Sequence, residues 1–332
     1  MRFITLLILV PSLLARICPG GEVVVYTSED KVFSEPVLQQ FEKKTGIKVR
    51  AIYDTEETKS TGLVNRLIAE KDNPQADVFW SGDPVRPALL EIRGITTPYI
   101  SSAAADVPKI YKDEDGHWTG FSARARIILY NTNLVNTDEK PLSLFDLTKP
   151  KWRGQVAIAN PLFGTTSIHM AALFIILGDE KAKKFLNDLK ANGVKIVSSN
   201  GEVKRLVARG EVKMGITDTD DANVAIKEGS PVKVVFPDQT SIGTLIMPNM
   251  VCLIKNSPNQ ENGKKLIDYL VSKEVEKSLA WAACAQMPLR YDVRIPADVL
   301  TIDAVKGMNV NYHDVAKKLE EIGEFLKQWA GY

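Results

Sequence analysis

Short apolar runs and amphipathic segments take turns along this chain. Val23, Val24, Val25 and Tyr26 form a β-rich run at 22–26, and the polar loop Thr27-Ser28-Glu29-Asp30 follows it. The next segment carries Val37, Leu38 and Phe41 on one helical face and stops at Gly46, a natural C-cap. Residues 47–53 read as a second strand, and 54–59 as an acidic loop that includes Asp54, Glu56 and Glu57. Leu63, Val64, Leu67 and Ile68 repeat at the three-four spacing of a buried helical face over 61–71. A third apolar run at 76–80 ends in Trp80, and Ser81-Gly82-Asp83-Pro84 turns out of it toward another helix. The order β-α-β-α-β-α predicts a parallel sheet with helices on both faces, in keeping with strands that are apolar throughout rather than alternating.

The pattern starts again beyond a looser polar stretch at 96–115. Residues 118–121 and 126–130 read as two strands separated by Ser122-Ala123-Arg124-Ala125. A short helical piece at 142–147 and a strand at 155–159 lead to Asn160-Pro161-Leu162-Phe163-Gly164-Thr165-Thr166-Ser167 and a long apolar helix ending at 177. A helix at 181–191, a strand at 194–197, a turn through Asn200 and a helix at 203–209 come next. A strand at 212–216 then breaks into Thr217-Asp218-Thr219-Asp220-Asp221, and 232–236 is one more strand. Residues 245–254 are an apolar crossing segment whose Pro248 suits an edge or hinge strand better than a central one. Helices at 260–272 and 274–283 follow, and Val315, Leu319, Ile322, Phe325, Leu326 and Trp329 form one stripe of a C-terminal helix. The expected fold class is α/β, with two α/β lobes.

Composition narrows the functional classes. The chain has 332 residues and a formal net charge of +1, so no nucleic-acid partner is indicated. Three cysteines and three histidines show no metal-ligand spacing. Met1-Arg2 and the apolar run 3–14 read as an export signal, too short to span a bilayer as a helix. Leu14-Ala15-Arg16-Ile17-Cys18 is a degenerate lipobox, which leaves a lipid anchor on Cys18 open. Outside the cytoplasm Cys252 and Cys284 either pair or remain buried thiols.

Candidate chemistry collects at strand ends, where open α/β sheets bind ligands against the helices that follow. In the turn 217–221, Asp218, Asp220 and Asp221 repel one another unless a cation, a donor-rich ligand or a helix N-terminus offsets them. Capping of the next helix by Thr217 or Asp218 is the plainer use, and the spacing excludes an EF-hand. Acidic loops at Glu29-Asp30 and in 54–57 are either solvated faces or one wall of a cleft that accepts positive charge. Gly164-Thr165-Thr166 at a helix start suits an anion, or simply caps the helix. Arg124 and Arg126 are able to pair a ligand carboxylate or phosphonate, or an acid of the other lobe. Trp80 is either core or a stacking platform. No motif of a nucleophilic hydrolase, zinc protease or phosphate loop occurs.

Several stretches taken together resemble the extracellular solute-binding proteins of ABC importers, in the branch associated with ferric iron. They are Val25-Tyr26-Thr27-Ser28, 41–49, Gly62-Leu63-Val64-Asn65-Arg66-Leu67, Ala76-Asp77-Val78-Phe79-Trp80, Tyr130-Asn131-Thr132-Asn133, Lys151-Trp152-Arg153-Gly154 with Asn160-Pro161, Gly164-Thr165-Thr166 and 210–215. The resemblance implies a periplasmic-binding-protein-like fold, a ligand cleft between two lobes, no enzymatic activity, and delivery to a membrane permease by a monomer. It divides the chain into a signal peptide (1–20), the first part of lobe 1 (21–122), lobe 2 (123–244), a return to lobe 1 (245–292) and a C-terminal helical segment (293–332), with hinge strands near 120 and 245. It places Thr27, Ser28, Ser81, Gly82, Arg126, Thr165, Thr166, Asn200, Thr217, Asp218 and Asp220 at the cleft. Asp30, Asp218 and Asp220 are then the candidate metal ligands. Iron(III) or an iron chelate is the leading cargo, and no other cofactor is expected. Tyrosinate iron sites in this branch keep an adjacent Tyr-Tyr pair at the stretch matching 217–221, and here none of the nine tyrosines is adjacent to another. Asp30 falls where some members keep a His and Gly62 where some keep a Glu. A small charged organic solute such as an aminoalkylphosphonate or thiamine is therefore the alternative, with an enzyme on the same scaffold a distant third.

Overall fold

The structure is a computed structural model that describes residues 20–54 and 61–332. The expected signal peptide with Cys18 and the acidic residues Glu56 and Glu57 lie outside the described residues. The first half of the chain runs β1 (Glu22–Thr27), α1 (Lys31–Thr45), β2 (Lys48–Tyr53), α2 (Thr61–Ala69), β3 (Val78–Ser81), α3 (Val85–Ile92), β4 (Thr96–Thr97) and β5 (Thr119–Asn131). The second unit adds β6 (Val156–Ala159), α4 (Gly164–Leu177), α5 (Asp179–Ala191), β7 (Lys195–Val197), α6 (Asn200–Ala208), β8 (Met214–Asp218), α7 (Thr219–Lys227) and β9 (Val232–Val235). The chain then returns through β10 (Ile246–Ile254), α8 (Gln260–Leu270), α9 (Lys273–Trp281), α10 (Tyr312–Glu321) and α11 (Gly323–Ala330).

Strands follow one another across the molecule in the order β2-β1-β3-β10-β5-β8-β6-β7, with β4 on β10 and β9 on β5. Within each unit the βαβ strands are parallel: β1 with β2 and β3, and β6 with β7 and β8. Both faces are covered, which is why the strand runs are apolar throughout. Val24 and Tyr26 face one core with Phe79 and Leu67, and Val23 and Val25 face the other with Phe41 and Trp80. Close helix–strand approach is visible at Gly215, where an added Cβ would lie 2.8 Å from the carbonyl oxygen of Ala157 and closer still to Val203.

Three local expectations are corrected. Residues 119–131 form one long strand, not two strands with a turn between them. Ser122 is an inserted bulge residue at φ 45°, opposite the register shift between Pro248 and Asn249. Its N–H donates to Glu276 Oε1 at 3.1 Å, and that carboxylate, fully buried, also takes Leu289 N–H and Arg290 Nη1 at 2.8 Å each. Secondly, β10 is central, between β3 and β5, despite Pro248. The proline is tolerated because it stands at the bulge, where the regular ladder is already interrupted. Finally, the C-terminal stripe is split into α10 and α11 at Ile322-Gly323. Cys252 and Cys284 are free, buried thiols, and burial raises the pKa of both. No helix among the described residues is long and apolar enough to cross a membrane.

Candidate functional site

Strand β5 belongs to both units. Its first part, 119–125, pairs with β10, and its second part, 126–131, pairs with β8 and β9. The two arginines of the sequence motif stand at that changeover, facing the ends of β1, β3 and β8 and the starts of α4, α6 and α7.

Arg126 is fully buried and its guanidinium is held within the second unit. Nη1 donates to Asp218 Oδ1 at 2.7 Å, Thr165 Oγ1 at 3.0 Å and Asn200 Oδ1 at 3.1 Å, and Nη2 donates to Thr166 Oγ1 at 3.2 Å. The Thr165 hydroxyl in turn donates to Asp218 Oδ2 at 2.7 Å, and Asn200 Nδ2 donates to both. Helix α4 therefore does not use Thr165 or Thr166 as a cap: its N-cap position is Phe163, with no side-chain cap, and the hydroxyls serve the arginine knot. Nor does Asp218 cap α7 with its side chain, though it occupies the N-cap position. Behind the knot His169 Nδ1 lies 3.5 Å from Arg126 Nε. Burial, and then the Arg126 charge, depress the His169 pKa well below the ordinary imidazole value.

Arg124 is equally buried but reaches across. It pairs with Glu29, from the loop after β1, and through Nη1 with Asp220 Oδ2 at 2.7 Å on α7. Burial works against its charge, but Asp220, Glu29, Asp218 and Asp30 outweigh that and hold its pKa well above the ordinary arginine value. Among the described residues its buried Nε–H has no hydrogen-bond partner. Glu29 Oε1 also takes Gln286 Nε2 at 3.0 Å. Gly82 lies against this pair: a Cβ there would stand 2.8 Å from Glu29 Oε2 and would displace that carboxylate. The Gly82 N–H donates to Ser28 Oγ at 3.0 Å, which ties the β1 and β3 loops together.

A polar pocket opens over these groups, lined by Ser28, Asp30, Gly82, Arg124, Gly164, Thr165, Asn200, Asp218, Asp220 and Asp221. Ser28, Asp30, Gly82, Thr165, Asn200, Asp218 and Asp220 of the expected set are thus brought together from both units. Five others stand behind or beside the pocket. Thr27 is buried and its hydroxyl takes the Glu29 N–H. The Ser81 hydroxyl takes the Asp83 N–H. Thr166 and Arg126 belong to the buried knot, and the Thr217 hydroxyl donates to Asp221 Oδ2 at 3.0 Å and to the Asn200 carbonyl. The residues that sequence reasoning left off its list are Arg124, Gly164 and Asp221. All three lie in motifs it had singled out, but which member faces the pocket depends on the bulge at Ser122 and on how the β8–α7 turn is oriented. Trp80 is core, packed on Phe121 with ring centroids 5.5 Å apart and its Nε1–H on Asn249, so it offers no stacking face. No tyrosine or histidine lines the pocket among the described residues. Asp218, Asp220 and Asp221 each place one carboxylate oxygen within 4.8 Å of the others.

Comparison with known proteins gives this geometry a family. The model of the bacterial extracellular solute-binding proteins matches residues 73–308. Iron uptake protein A1 of Synechocystis sp. is 31% identical over 290 residues, which is 82% of this chain and 78% of that protein. A putative 2-aminoethylphosphonate-binding periplasmic protein of Salmonella typhimurium is 30% identical over 306 residues, covering 87% of this chain and 85% of that one. The apo ferric ion-binding protein A of Pasteurella haemolytica superposes with a TM-score of 0.82 at 26% identity, over 93% of this chain and 97% of that one. These relatives are binding proteins of import systems rather than enzymes, with the two-lobed periplasmic-binding-protein fold. Proteins of this kind take up small solutes outside the cytoplasm and deliver them to ABC permeases. The chain described here belongs to the bacterial extracellular solute-binding proteins.

Proposed function

We propose that the cleft captures a small zwitterionic organic solute, of the aminoalkylphosphonate class, for delivery to its permease. The observation that carries this reading is the two-signed lining of the pocket. Asp30, Asp218, Asp220 and Asp221 line it, and their carboxylates suit an ammonium group. Beside them, in the same lining, are the guanidinium of Arg124 and the start of α4 at Gly164-Thr165, where no side chain of the described residues caps the helix. Backbone N–H groups at a helix start and a guanidinium N–H together suit a phosphonate. The similarity to a protein described as 2-aminoethylphosphonate-binding points the same way. The contact set proposed is Ser28, Asp30, Gly82, Arg124, Gly164, Thr165, Asn200, Asp218, Asp220 and Asp221, with Arg126, Thr166, Thr217, Thr27 and Ser81 supporting it from behind.

A second reading, iron(III) held as a chelate, has its own support. Three carboxylate oxygens within 4.8 Å are hard donors suited to that ion, and a relative is described as an iron uptake protein. Without a tyrosine in the lining, the chelate would supply the remaining donors. In both readings the lobe boundaries fall near residues 122, 244 and 292. The bulge of Ser122 opposite Pro248 is the hinge, and the protein works as an exported monomer with or without a lipid on Cys18.

The chelator-stripped protein is titrated with 2-aminoethylphosphonate and with ferric citrate while melting is followed. A ligand that binds the folded state raises the melting temperature by mass action. A rise with the phosphonate alone is expected. A rise with ferric citrate alone establishes the second reading, and no rise with either removes both ligands while the family stands.

A further inference from the structure

A second cavity, of about 650 Å³, lies away from the cleft, between the end of α3, the loop before β5 and the start of α10. Glu91, Asp113 and His313 line it, one from each of these elements, and each offers a ligand atom within 4.8 Å of the other two. We propose that these three residues form a binding site for a divalent transition-metal ion of the zinc type.

The arrangement is organised around Glu91 Oε2. It meets His313 Nε2 at 2.6 Å and takes the Trp118 indole N–H at 3.0 Å. The Trp118 ring lies against the His313 imidazole with centroids 5.8 Å apart and an interplanar angle of 49°, which fixes the ring's orientation. Asp113 is held by its own turn, taking the His117 N–H on Oδ2 at 2.9 Å. A hydrogen-bonded Glu91–His313 pair accounts for two of the three groups. It leaves a second carboxylate from another element within 4.8 Å of the first. Among the described residues, His313 is the one basic side chain paired with Glu91, and none is paired with Asp113. A bound cation offsets that like-charge approach, as the arginines do in the cleft. One imidazole nitrogen and two carboxylate oxygens are a donor set that zinc accepts, with a water from the cavity in the fourth position. Tetrahedral bonds of about 2.0–2.1 Å put neighbouring ligand atoms about 3.3 Å apart, so Glu91 and His313 move apart by less than 1 Å while Asp113 closes in. His313 and Glu91 are 27% and 20% exposed, open enough for an ion to enter. The imidazole then carries its proton on Nδ1. A metal here joins α10 to α3 and to the 113 loop, independently of what the cleft holds.

The test uses untagged, chelator-treated protein, titrated with Zn²⁺ by calorimetry and weighed by native mass spectrometry. One zinc per chain is expected at this site. His313→Ala and Asp113→Asn should each weaken that binding at least tenfold, while Asp218→Asn and Asp220→Asn leave it unchanged. Asp113 is a loop residue outside the core, so its variant keeps the test open if His313→Ala does not fold. The proposal is overturned if no zinc binds, if both variants lose less than tenfold, or if only the cleft variants lose it. None of these outcomes bears on the cleft ligand, which is read out by the phosphonate and ferric citrate titrations.

Discussion

Arg126 spends its charge inside one lobe, on Asp218, Thr165, Thr166 and Asn200, whereas Arg124, two residues earlier on β5, joins Glu29 of one lobe to Asp220 of the other. The two side chains are alike in type and in burial. They differ in what remains to be satisfied. Four hydrogen bonds to oxygen and a neighbouring imidazole hold Arg126, while Arg124 lines a pocket to which both lobes contribute, and its buried Nε–H has no hydrogen-bond partner among the described residues. An ion pair enclosed within one lobe organises its surroundings; one that is shared between lobes and lines the pocket is placed beside a ligand. Both are expensive to break, and in the proposed function one has a scaffold role and the other a recognition role.

The largest expected effect is on the scaffold side. Arg126→Leu strands the Asp218 carboxylate, 3% exposed, without its partner, and should cost about 3–5 kcal/mol in urea unfolding. A loss under about 1 kcal/mol would break the comparison, because Arg126 would then not be holding the knot together. On the recognition side, Arg124→Met should lower affinity for 2-aminoethylphosphonate at least a hundredfold by calorimetry, about 2.7 kcal/mol. Unchanged affinity with a stability loss like that of Arg126→Leu would make the two arginines equivalent.

The smallest effect sharpens the Arg126 side through pH. Burial and the Arg126 charge keep His169 neutral in the folded state, so its folded pKa is depressed below the ordinary value near 6.5. As pH falls below about 6.5 the unfolded chain takes up a proton that the folded chain refuses, and stability declines by about 1.4 kcal/mol per pH unit. His169→Gln should remove this part of the slope between about pH 6.5 and 5 in denaturant titrations. A slope identical to that of the parent would show that His169 takes up its proton as readily in the folded protein as in the unfolded chain.

How much of this was legible in the chain depends on the range of the interaction concerned. Helix α1 ends at Gly46 because glycine takes φ 70° there without cost, a local fact that sequence spacing carries. The turn after β8 was recognisable as a strand end with three acids for the same reason. Strand β5 was not legible as one strand. Ser122 and Arg124 look like turn residues in one dimension, and they are strand residues only because Glu276 and Glu29, 154 and 95 positions away, meet them. Pro248 misled in the same manner, since a bulge opposite Ser122 makes a central proline tolerable.

The sequence by itself determined the alternation of strands and helices, the two α/β units and the loops that converge on the cleft. Hydrophobic period and turn residues act over a few positions and need no distant partner. Tertiary structure alone decided which arginine faces the pocket, that Thr217 turns toward Asp221 while Asp220 reaches Arg124, and that Glu91, Asp113 and His313 come together. A buried charge takes its meaning from the counter-charge beside it, and here those partners are set by closure of the sheet around β5 and by the packing of α10 on α3, contacts between residues far apart in the chain.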